Sequence, residues 1–188
     1  MARAKSKHSN GERAKDAIAL LKADHRQVAD WFEQFEKART HDRKQDLATR
    51  ICDALTVHTT IEEEIFYPAF LQATEDLSLH HEAEIEHHAA KQLIAEIESS
   101  TPDDEYFASK VKVLSEMIKH HVKEEEQPGG MFAEARDSTM DLVALGELMA
   151  ARKAEMEGGD SDDDDDASPP RSVKKERVRI ERMMKETR

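Results

Sequence analysis

The chain has 188 residues, 37% of them charged and 38% hydrophobic, with a formal net charge of −13. That length suits one domain with tails and can bury a real core, whereas the acidity argues against generic nucleic-acid binding by the whole chain. A single cysteine, Cys52, excludes an intramolecular disulfide, fits a reducing compartment and reads as a small packed residue.

Residues 1–14 are polar and basic and read as a disordered arm. With no apolar stretch after the basic start, no secretory signal is expected; with no run of about 18 apolar residues anywhere, neither is a membrane span. The expected location is cytoplasmic. A first helix is predicted from roughly Arg13 to Arg39. Its residues Ile18, Leu21, Val28, Phe32 and Phe35 share one face, and His25 sits on that face. A second is predicted from roughly Arg43 to Gln72. Its stripe is Ile51, Leu55, Ile65 and Ala69, with His58 and Glu62 inside it, and Pro68 should kink or end it. A third covers roughly Asp76 to Ser99, with its apolar centre near Ala90, Leu93 and Ile97 and His87 on the edge shared with Ile94. The breaker Ser99-Ser-Thr-Pro102 precedes a fourth, roughly Asp103 to Glu126, whose stripe of Phe107, Val111, Leu114 and Ile118 continues into His121 and Glu125. Beyond Pro128-Gly-Gly130, a fifth segment, Met131 to Met156, carries Leu142, Leu145, Leu148 and Met149 and should pack across or cap the others. No strand-like alternation is found. Short connections between long helices predict an all-α, up-down-up-down four-helix bundle over 15–156 with an additional C-terminal helix. Residues 157–188 are an acidic run, Asp162 to Asp166, then a basic tail to Arg188; this reads as a solvated, disordered tail or as a docking element for an acidic partner.

A buried charge or imidazole is costly unless it is paired or coordinates a metal. Here His25, His58 with Glu62, His87, and His121 with Glu125 each fall on or beside the apolar stripe of a different helix. Residues at i and i+4 stack on one face, so each His-x-x-x-Glu pair can grip one ion. Imidazole and carboxylate donors without a thiolate suit iron, zinc or manganese, and carboxylates from two helices can bridge two ions along a bundle axis. His120 with Glu124 offers the same spacing one residue earlier, but His120 lies about 100° around the helix from His121, so His121 and Glu125 are favoured. Glu84 is a further candidate ligand beside His87; His8, His41, His80 and His81 read as surface residues.

Leu20 to Val28, His58 to Pro68, Glu86 to Lys91 and His120 to Glu126, with Leu145 to Lys153 downstream, resemble the hemerythrin-like HHE cation-binding domain family in order and over roughly residues 15–156. The resemblance implies a non-haem di-iron centre, oxo- or hydroxo-bridged, with His25, His58, His87 and His121 as terminal ligands and Glu62 and Glu125 as bridging carboxylates. Reversible oxygen carriers of the wider superfamily carry a fifth histidine four residues from the third-helix ligand. This chain has Ala83 and Lys91 at those places, which argues against stable oxygen transport and leaves a position for O2, peroxide or NO. The expected function is therefore metal binding with small-molecule reaction or sensing, or iron holding. The alternative is a metal-responsive interaction module that engages a protein partner through the charged tail.

Overall fold

The computed structural model describes residues 16–158. The N-terminal arm, the predicted helix start at Arg13 and the charged tail from residue 159 onward lie outside the described residues. Helix α1 runs Ala17–Lys37, α2 His41–Ile61, α3 Tyr67–Thr74, α4 Leu77–Glu98, α5 Phe107–Glu126, α6 Met131–Asp137 and α7 Leu142–Glu157. Side-chain caps set several starts. Asp16 accepts the Ala19 N–H at 2.7 Å, Thr40 the Arg43 N–H at 3.3 Å, Asp76 the Ser78 and Leu79 N–H groups, and Asp141 the Ala144 N–H.

Three sequence expectations need correcting. The fourth predicted helix starts at Phe107, not Asp103, because Asp104 turns back to accept the Thr101 N–H at 2.6 Å and holds residues 101–104 in a turn. The fifth segment is two helices, α6 and α7, separated at residues 138–141, where the Ser138 hydroxyl bonds the Ala135 carbonyl and accepts the Met140 N–H. Finally, Pro68 does not end the second helix. A π-helical turn, Glu62–Phe66, joins α2 to α3, with the Tyr67 N–H donating to the Glu62 carbonyl five residues back. The wider turn carries the ladder past the proline, which sits in the first turn of α3 where no donor is required.

Two apolar layers hold the bundle. One contains Val28, Phe32 and Phe35 of α1, Leu47, Ile51 and Leu55 of α2, Ile94 and Ile97 of α4, and Phe107, Val111 and Leu114 of α5. The other contains Ile18 and Leu21 of α1, Phe66, Tyr67 and Phe70 at the far end of the second long helix, Ala83 of α4, Phe132 of α6, and Leu145 and Met149 of α7. Along α1 and α4 the chain passes from the second layer to the first; along α2 it passes from the first to the second, and α5 starts in the first. The four long helices therefore alternate in direction, as the short connections require. Between the layers each long helix contributes a buried histidine. Burial of each large apolar side chain contributes about 1.5–3 kcal/mol, so the two layers together stabilise the bundle against the cost of the polar slab between them. No helix among the described residues is long and apolar enough to cross a membrane.

Candidate metal centre

All six residues that the sequence singles out meet in that slab. His25, His58, Glu62, His87, His121 and Glu125 are buried, and Glu62 is wholly inaccessible. The imidazole nitrogens face one another in two pairs. His25 Nε2 lies 3.1 Å from His58 Nε2, and His87 Nε2 lies 3.2 Å from His121 Nε2. Glu62 Oε2 stands 3.3 Å from His58 Nε2 and 3.4 Å from His87 Nε2. Glu125 places one oxygen 3.3 Å from His25 Nε2 and the other 3.7 Å from His121 Nε2. Two donor clusters result, one of His25, His58, Glu62 and Glu125, the other of Glu62, His87 and His121. Glu62 belongs to both.

The outer nitrogens fix how the rings are used. His25 Nδ1 meets Glu126 at 2.8 Å, His87 Nδ1 meets Glu63 at 3.0 Å, and His121 Nδ1 meets Glu86 at 2.7 Å. His58 Nδ1 faces Asp24 at 3.7 Å, too long for a hydrogen bond but within ion-pair range. A carboxylate can only accept, so the Nδ1 atoms of His25, His87 and His121 carry protons and their Nε2 lone pairs point inward. Two lone pairs about 3 Å apart repel unless a proton or a cation lies between them. Nitrogens bound at the usual distances to one tetrahedral or octahedral ion would themselves stand about 3.0–3.4 Å apart.

Electrostatics agree with this reading. Burial alone would depress His25 and His121, but the surrounding carboxylates, Glu125 foremost, raise both above the ordinary imidazole value. Burial wins at His87 and pushes His58 down to about 4, so each facing pair joins one raised and one lowered ring. Burial and the neighbouring Glu125 raise Glu62 well above the carboxylate range, while His121 and His25 overcome burial and pull Glu125 down. Both Glu62 oxygens and one Glu125 oxygen are buried without a hydrogen-bond partner. Orphaned acceptors of this kind are rare in native interiors, and here they converge with inward-facing imidazoles. The donor set fits a bound metal cation.

The structure also separates the alternatives. His120 is exposed and pairs with Glu124 at 3.2 Å outside the slab, so the register at His121 and Glu125 is the buried one. Glu84 does not reach the centre: it is exposed and faces His80 at 3.5 Å. His41 and His81 lie on the surface as expected; His80 does not, being half-buried with its ring edge-to-face on Tyr67. His87 is at the middle of its buried face with Ala83, Ala90, Ile94 and Ile97, because Leu93 turns partly outward. Sequence reasoning missed Tyr67 and Phe132. The Tyr67 hydroxyl lies 3.2 Å from His87 Nε2 and 3.4 Å from Glu125, and the Phe132 ring stacks on His25 at 5.8 Å. It also missed the carboxylates behind the rings. Glu126 and Glu63 stand next to Glu125 and Glu62, and Asp24 and Glu86 immediately precede His25 and His87. That adjacency was the available signal.

An antiparallel helical bundle with paired histidines and shared carboxylates at its middle defines a cation-binding helical protein. The model of the hemerythrin HHE cation binding domain matches residues 16–128, and the chain belongs to that family. A solved structure of a hemerythrin HHE cation binding domain-containing protein from Mycobacterium kansasii is similar in fold, with a TM-score of 0.64 at 22% identity over 77% of this chain and 89% of that one. A protein named DNA nickase from Nostoc sp. (strain PCC 7120) is 25% identical over 122 residues, which is 63% of this chain and 33% of the relative's length. The chain thus spans about a third of that protein.

Proposed function

We propose that the chain is a non-haem di-iron protein of the hemerythrin type. In this reading His25, His58, Glu62 and Glu125 hold one ion, and Glu62, His87 and His121 hold the other, with Glu125 reaching across. The observation that carries it is the set of four buried Nε2 atoms facing in pairs, each ring backed on its outer side by a carboxylate. A bound iron pair supplies redox chemistry and an exchangeable position for O2, peroxide or NO. The protein's part is to orient the rings through their Nδ1 partners, to supply two buried carboxylates, and to exclude bulk water with the two apolar layers. The strand-cutting in the Nostoc relative's name is not carried over, since two-thirds of that protein has no counterpart in the match. Protein purified from iron-supplied cells should contain two irons per chain, with a near-ultraviolet absorption band that is lost on reduction. Glu62→Ala and His58→Ala should lose the iron, while His81→Ala keeps it. Equal iron contents in all of them would overturn the assignment.

A second reading, a metal-responsive interaction module, is favoured by one specific arrangement. Lys153 of α7 bonds Asp24 at 2.6 Å, and Arg152 grips Glu64 with two nitrogens, at 2.8 and 3.2 Å. Asp24 backs His58, and Glu64 lies in the π turn that begins with Glu62, so the helix that leads into the charged tail is tied to the centre at two points. Ion binding that ordered the centre would then order α7 as well. Hydrogen exchange in α7 should slow on iron loading; identical exchange with and without iron would remove this reading.

A further inference from the structure

The two halves of the centre are unequal, and the difference lies beside an opening. The His25–His58 half is completed by both carboxylates, and Phe132 closes over His25. The His87–His121 half has one fewer donor in its cluster, and there the Tyr67 hydroxyl stands at 3.2 Å from His87 Nε2 and 3.4 Å from the Glu125 oxygen that faces His121. Tyr67 itself is buried in the second apolar layer, with only its hydroxyl turned toward the polar slab. Tyr67 borders a surface cleft of about 260 Å³, lined also by Glu63, His80, Glu84, His88 and Lys91. The cleft rim is pinned by Lys91, which holds both oxygens of Glu63 at 2.6 Å, and Glu63 in turn accepts from His87 Nδ1. On the side of the rings lined by Val28, Leu55, Ile118 and Val122, the cavity is only about 10 Å³, room for no more than about one water. Of these two cavities among the described residues, the cleft is the roomier for a molecule of two or three atoms, and Tyr67 is the member of its lining whose hydroxyl faces the centre.

We propose that this cleft is the entry route for the small ligand of the centre and that Tyr67 is the hydrogen-bond donor that receives it at the His87–His121 half. The ligand class is a two- or three-atom molecule with an exposed acceptor atom, such as a hydroperoxide or azide. The Tyr67 hydroxyl has one proton to give and two acceptors in reach, His87 Nε2 at 3.2 Å and Glu125 at 3.4 Å. Were ions held by both His87 and Glu125, that proton would be available to an acceptor beside them. The inference rests on the di-iron reading above.

The test uses the full chain loaded with iron and titrated with azide, followed by absorption. Iron stoichiometry measured first separates the two claims, because a wild-type chain that retains no iron sinks the di-iron reading itself. Tyr67→Phe keeps the ring and the packing. It should hold as much iron as the wild type and bind azide at least tenfold more weakly, the factor that about 1.4 kcal/mol represents. His88→Trp, which fills the exposed mouth of the cleft, should slow azide association at least fivefold in stopped flow with iron content unchanged. Unchanged azide affinity in Tyr67→Phe, or loss of its iron, would overturn the donor role. A visible phenolate-to-iron band in the wild type that Tyr67→Phe abolishes would do the same, since Tyr67 would then be a ligand. An unchanged association rate in His88→Trp would overturn the route.

Discussion

Glu62 should act in opposite directions with and without the ion, and Glu62→Leu tests this. In the metal-free chain both Glu62 oxygens are buried and unpartnered, and burial together with Glu125 raises its pKa well above the carboxylate range. Each buried orphan costs about 1–3 kcal/mol, and replacing an unpartnered buried polar group by an apolar side chain of similar volume is often neutral or stabilising. Taking about 2 kcal/mol for the pair, and about 2–4 °C per kcal/mol for a domain of this size, metal-free Glu62→Leu should melt roughly 4–8 °C above metal-free wild type. Iron at about a hundredfold above its dissociation constant stabilises the wild type by about 2.7 kcal/mol, or roughly 5–11 °C by the same conversion. The variant should show none of that gain. Melting both proteins by circular dichroism, with chelator and with ferrous iron under anaerobic conditions, gives all four values. If metal-free Glu62→Leu melts below the wild type, or if iron stabilises both proteins equally, Glu62 is a structural acid and the centre has been misread.

Three other outcomes follow from the same geometry. Because the surrounding carboxylates raise His25 and His121 above the ordinary imidazole value of 6.5, loading at pH 6.5 should release protons; calorimetric heats that do not depend on the buffer's ionisation enthalpy would contradict this. The sign for metal-free stability is set by the same groups: raised groups lend stability that is complete below their unfolded values (6.5 for histidine, 4.5 for glutamate) and is lost as pH rises through the folded values, whereas the lowered Glu125 and Asp24 lend stability that is lost in acid, so the metal-free melting temperature should peak in mild acid and fall above neutrality. Gly130→Ala should destabilise the chain by about 2 kcal/mol or more in urea, since a Cβ there runs into the Glu124 carbonyl and presses on the Glu125 carbonyl at 3.0 Å, and a wild-type midpoint would show that the α5 end yields freely.

Much of the centre was legible because its residues interrupt apolar stripes. Along α1, Ala17, Ile18, Leu21, His25, Val28, Phe32 and Phe35 are all buried, as the 3.6-residue period requires. Along α5, Phe107, Val111, Leu114, His121 and Glu125 follow the same rule, and that rule chose His121 over His120. What periodicity could not give was the direction of the Nδ1 atoms or the contacts between helices distant in sequence. Phe132 reaches His25 only through the turn at Gly129, whose φ of 77° favours glycine, and no stripe on either helix announces that contact.

The second long helix shows where the period itself changes. Ile51, Leu55, His58 and Glu62 are buried in regular register, and the stripe would continue through Ile65 and Ala69. In the structure those two are half-buried, and Phe66, Tyr67 and Phe70 are buried instead. The shift is one residue, which is what a π turn inserts. It begins at Glu62, the carboxylate common to both donor clusters, and includes Glu63 behind His87. Without the inserted residue, continuing the α2 register would direct Ile65 rather than Phe66 into the second layer and turn the Tyr67 hydroxyl away from His87. The local backbone irregularity and the placement of three polar groups at the centre are therefore one feature. A helix-period reading, which assumes 3.6 residues per turn throughout, finds the candidate ligands before the turn and loses the tyrosine after it.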